Sequence, residues 1–222
     1  MTSFATPHAP MTNTLSDPLD SRALAQRLLH GCGWFAVCVG AALAALACWL
    51  LDGPLMSQPQ WAHQVLGYFL WGRLPTFLVA LFVMFRLNLH GVLHPELGQA
   101  VLQHHISPWG LGVACVITAS MCWMWLLLVA TGLTGLAAEA LLGGHATSLL
   151  SHLLTDSSAA PLWQGGLRLL VQSMAVAWVS FFELRFLGAQ NIAPSIAFMR
   201  AMLLCGLVVL GIELADFLLF FA

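Results

Sequence analysis

The 222-residue chain is 60% hydrophobic and only 7% charged, with seven arginines, no lysine and a formal net charge of −2. A water-soluble domain carries about 25% charged residues, so this composition excludes a surface that meets water on every side. The near-neutral balance also excludes nucleic acid as a partner, since that needs a clustered basic face.

Residues 1–27 are expected to form a disordered cytoplasmic tail. The first twenty are rich in Thr, Ser and Pro and hold Asp17 and Asp20 but no basic residue. Such a stretch has too little apolar surface to fold. The first apolar run follows Arg22 and Arg27 and is as long as a full membrane span, which reads as a retained helix rather than a cleaved leader.

Residues 28–222 are expected to form one all-α, polytopic membrane domain. A hydrocarbon core of about 30 Å is crossed by roughly 20 apolar residues in a helix. Helices and closed barrels alone satisfy the backbone there, and these runs are too long for barrel strands. Span one covers about 30–51, with Gly40, Ala41, Ala44, Ala45 and Ala47 offering a close-packing face. Asp52, Gly53 and Pro54 end it. Span two has two readings, because Arg73 and Pro75 interrupt an apolar stretch from Trp61 to Leu87. It is a long tilted helix over 62–87, or an interfacial helix over 59–72 followed by a span over 74–93. Trp61, Tyr68 and Trp71 suit a membrane surface and favour the second.

Span three covers about 109–133. An interfacial segment over 134–160 follows, amphipathic through Leu141, Leu142, Leu149, Leu150, Leu153 and Leu154 and broken at Gly143-Gly144. Span four covers about 162–187 and span five about 198–221. Arg22, Arg27, Arg86, Arg185 and Arg200 fall on one face of this topology, while the links 52–60 and 134–160 hold no arginine and Arg73 and Arg168 lie near the opposite face but inside or beside helices. The positive-inside rule then puts the N-terminus in the cytoplasm and the C-terminus outside.

Within the spans the polar residues stand out. Glu213 and Asp216 are three apart on span five and share a face. Arg168 lies at a similar depth on span four with Gln172 one turn away, so a pairing of Arg168 with either carboxylate is expected, as a helix clamp or as a proton or ion relay. Glu183 is expected to meet Arg200 across the short link between these spans. The cysteines, Cys32, Cys38, Cys48, Cys115, Cys122 and Cys205, contain no C-x-x-C pair and read as small apolar fillers.

His90, His94, His104 and His105 cluster in one link, and His90 and His94 share a helix face on which both can ligate one metal. His90-Gly91-Val92-Leu93-His94 resembles the first histidine box, H-x-x-x-H, of the membrane di-iron desaturases and hydroxylases. That resemblance implies an iron-dependent oxidoreductase, although the further H-x-x-H-H boxes of that family are absent from the sequence. A b-type haem needs histidines facing each other within spans, and His63 and His90 sit at opposite depths. No phosphate loop and no nucleophile elbow occurs.

Three functions remain, in descending order. The first is a non-catalytic subunit of a larger assembly in the bacterial inner membrane, such as secretion, conjugation or envelope machinery, with lipid and other membrane subunits or further copies of itself as partners and no cofactor. The second is a small ion-coupled transporter using the acidic residues of the last span. The third is the histidine-ligated oxidoreductase.

Overall fold

The computed structural model describes residues 21–52, 72–102, 106–142, 160–190 and 192–221. All regular structure among them is helical. The elements are α1 (Ser21–Leu29), α2 (Cys32–Asp52), α3 (Leu74–Leu93), α4 (Pro95–Leu102), α5 (Pro108–Leu142), α6 (Ala160–Ala189) and α7 (Pro194–Phe221). Five of these, α2, α3, α5, α6 and α7, are long and apolar enough to cross a membrane.

Local sequence sets each boundary. Gly31 turns the chain between α1 and α2 at φ 92°, a conformation that suits a residue without Cβ. Pro75 occupies the first turn of α3, where a missing N–H costs nothing. Pro95 ends α3, because the residue before a proline is driven out of the helical region; His94 sits at φ −122°, ψ 85°. Ser107 caps α5, its Oγ accepting the Gly110 N–H at 3.0 Å, and Pro108 follows at the first helical position. Between α6 and α7 the Gln190 and Ile192 N–H groups bond the Leu187 carbonyl at 3.0 and 3.1 Å, and Pro194 starts α7.

Helices α3, α5, α6 and α7 pack around one another, and α2 rests chiefly on α5. The start of α3, the start of α6 and the end of α7 meet at one end of the bundle, so α3 and α6 run antiparallel to α7. Helix α5 runs antiparallel to α6, with Trp109 edge-on to Trp178 at 5.4 Å and Trp123 beside Gly165 and Gly166. Helix α2 runs alongside α5. A Cβ on Gly40 would lie 2.8 Å from Val129 Cγ1 and 3.3 Å from the Ala130 nitrogen, so glycine permits that approach.

Burial follows membrane logic. On α7 the buried positions include Ala197, Ala201, Cys205 and Val209, while Leu203, Leu207, Leu210, Leu214 and Leu218 are exposed. On α5, Ala114, Cys115, Ala119, Cys122 and Ala130 face inward, and Ile117, Met121, Met124 and Leu128 face outward. Small residues let helices approach, and bulky apolar ones meet acyl chains.

Two boundaries differ from the sequence reading. Residues 21–27 are not tail: Leu24, Ala25 and Leu28 give α1 an apolar face that is buried against the bundle. Residues 134–142 continue α5, which is 35 residues long, because no breaker precedes Gly143; the rest of the proposed interfacial segment lies outside the described residues. Span two starts at Leu74, as in the 74–93 reading. The segment 59–71, with Trp61, Tyr68 and Trp71, and the tail 1–20 also lie outside the described residues.

Candidate functional site

At the carboxyl end of α7, five polar side chains converge. Asp216 accepts hydrogen bonds from both Arg73, one residue before α3, and Arg168 of α6 through one carboxylate oxygen. Both guanidinium side chains are nearly buried, at 10% and 8% exposed, while Asp216 keeps 39%. One turn inward, Gln172 donates from Nε2 to Glu213 Oε1 at 2.7 Å. The Arg73 guanidinium also lies 5.7 Å from the Phe217 ring centre. Two cations and two carboxylates thus meet within one interhelical cluster, a balance that lowers the cost of charge beside lipid.

The local reason is register. Asp216 and Glu213 share a face of α7, as residues three apart do, and Arg168 and Gln172 share a face of α6. Antiparallel packing brings the two faces together. Several buried polar atoms around them have no hydrogen-bond partner among the described residues: Gln172 Oε1, Ser173 Oγ, Arg168 Nε and Trp123 Nε1.

A groove of about 420 Å³ opens beside the cluster between α3 and α7, with Arg73 and Glu213 on a wall otherwise formed by Leu74, Phe77, Leu210, Leu214 and Phe217. A second, of about 320 Å³, lies between α2 and α5 and is lined by Gly33, Trp34, Ala36, Val37, Trp125 and Val129.

The opposite end carries a simpler pair. Glu183 Oε1 accepts from Arg200 Nε at 3.0 Å, with Glu183 nearly buried and Arg200 57% exposed. Between the two ends lies a buried polar chain. Ser180 Oγ donates to Asn88 Oδ1 at 3.1 Å, and Asn88 Nδ2 donates to the Met84 carbonyl at 2.9 Å. Cys205 Sγ, 3.5 Å from Ser180 Oγ, also reaches the Val176 carbonyl at 3.5 Å. This chain joins α3, α6 and α7.

The sequence candidates therefore divide. Arg168, Gln172, Glu213 and Asp216 come together, and Glu183 meets Arg200. Arg73, read from sequence as an interruption of span two near the same face as Arg168 but not as a partner of the acids, is the additional member. Its signal was positional: it precedes α3 at the same end as Arg168. Asn88 and Ser180 carried no sequence signal, because isolated small polar residues in spans commonly bond their own backbone, as Thr118 and Thr134 do here.

His90 and His94 lie with ring centres 4.3 Å apart, and His104 and His105 lie outside the described residues. Among the described residues no three His, Cys, Asp or Glu side chains gather as a metal site. The cysteines are all free thiols, with Cys32 of α2 and Cys122 of α5 both buried in the core. Comparison of the chain with protein-family models, with curated proteins and with solved structures finds no match.

Proposed function

We propose that the chain is a non-catalytic membrane subunit of a larger assembly, of the secretion, conjugation or envelope kind, in a bacterial inner membrane with its N-terminus in the cytoplasm. The observation that carries this reading is that Glu183, Glu213 and Asp216 are each engaged by a side chain of another helix. Groups committed to interhelical bonds brace a scaffold. The half-exposed Asp216 and the charged wall beside Phe217 sit on the outside of the bundle, where lipid contact is costly; a neighbouring subunit or lipid headgroups would relieve it. The test is isolation of the tagged chain from its native membrane in mild detergent. Stoichiometric recovery with other membrane proteins is expected; recovery as a lone monomer with an activity of its own would overturn the reading.

A second reading has one observation behind it. Glu213 is met by the neutral amide of Gln172, whereas Asp216 takes both arginines, and Glu213 also faces the groove. That arrangement suits a carboxylate that exchanges a proton in an ion-coupled transporter. In proteoliposomes, Glu213→Gln separates the two: the scaffold reading expects unchanged proton flux, and the transporter reading expects its loss.

A further inference from the structure

Arg86 and His90 are four residues apart on α3 and so share one face, and His94, which follows the end of that helix, lies with its ring centre 4.3 Å from that of His90. Arg27 of α1 joins them: Arg86 Nη2 donates to the Arg27 carbonyl at 3.4 Å, and His90 lies within electrostatic reach of Arg27, Arg86 and His94. Four basic side chains from two helices thus converge at the end of the bundle opposite Asp216. The contrast with that cluster is direct. There, carboxylates meet the arginines; here, no described carboxylate contacts any of the four, and the buried Arg86 Nε has no hydrogen-bond partner among the described residues. Neighbouring positive charges also oppose a metal cation at the histidine pair.

We infer that Arg27, Arg86, His90 and His94 form a binding site for the phosphate of an anionic phospholipid headgroup. Guanidinium groups match phosphate oxygens as paired donors, and the exposed side chain of Arg27 presents one to the surface. Lipid is the source because the basic stripe continues into apolar surface. Phe82, one turn before Arg86 on the same face and nearer the bilayer centre, is partly exposed and stacks on Phe35 at 4.3 Å. These surfaces accept acyl chains below a bound headgroup. The inference stands independently of any assembly role.

The full chain in neutral detergent, offered phosphatidylglycerol and phosphatidylcholine in equal amounts and read by native mass spectrometry, tests it. Preferential retention of phosphatidylglycerol is expected. Arg86→Gln and Arg27→Gln should each reduce that retention about fivefold, the factor for one basic residue at an anionic membrane surface, and Arg185→Gln, on another helix, should leave it intact. Arg27 has an exposed side chain, so its variant keeps the result interpretable if Arg86→Gln fails to fold. Equal retention of the two lipids, or wild-type selectivity in Arg27→Gln, would overturn the site. Binding of inorganic phosphate alone, without lipid selectivity, would overturn its assignment to lipid.

Discussion

Asp216 holds two guanidinium groups at once, which makes it the least replaceable member of its cluster. Asp216→Asn keeps the shape and leaves Arg73 and Arg168 without their shared counter-charge. Removal of one partner of a buried pair costs about 3–5 kcal/mol, and the partial exposure of Asp216 places this variant at the lower end, about 3 kcal/mol. Glu213→Gln, which faces only an amide, should cost less than half as much; thermal unfolding of both variants in detergent measures the difference. Gly91 gives a second residue-level expectation. A Cβ there would lie 2.4 Å from the Phe198 ring, so Gly91→Ala should destabilise by about 1–3 kcal/mol, the range for overpacking, and Phe198→Leu should restore most of the loss. The meeting of Arg168 and Gln172 with the two acids of α7 was legible from sequence because register along antiparallel helices determines it. Arg73 was not recognised as a member, because Pro75 and the aromatic residues before it left the start of the span open. The Asn88–Ser180–Cys205 chain was not legible either: nothing in a single span says which neighbour a lone hydroxyl will face.

Among the elements, the long apolar runs were the most legible, since a span must satisfy its backbone within itself. Their ends depended on particular residues. Pro95 and the Ser107-Pro108 pair leave little choice about where α3 stops and α5 starts, and Ser107→Ala should cost about 1 kcal/mol through the lost cap. The far end of α5 was misjudged because Gly132 and Gly135 are tolerated within a well-packed helix and the chain meets a glycine pair only at Gly143. Helix α1 was concealed by its polarity: arginines and a serine surround an apolar face of only Leu24, Ala25 and Leu28. Helix α2 rests chiefly on one neighbour, α5, with Gly40 at a close approach between them. Gly40→Leu should loosen α2 while α3, α6 and α7 keep their packing. Limited proteolysis should then cut between α2 and α3 much sooner than in the wild type, and an unchanged digestion pattern would remove Gly40 from that role.

For the whole molecule, the inward small residues and outward leucines of α5 and α7 describe a bundle made for lipid. Its charged residues brace the bundle at both ends, with Asp216, Arg73 and Arg168 at one and Glu183 with Arg200 at the other. Composition made the membrane setting legible but not the proposed neighbouring subunits, because an apolar surface that suits a protein neighbour suits lipid equally well. The most direct test of the account is the sidedness of the two termini, mapped by reporters or cysteine labelling at the N-terminal tail and after Ala222 in intact cells. Five crossings predict opposite sides, and the proposed orientation, drawn from the arginine distribution, puts the N-terminus in the cytoplasm. Both termini on one side would contradict the five-span architecture and the pairing of bundle ends built on it.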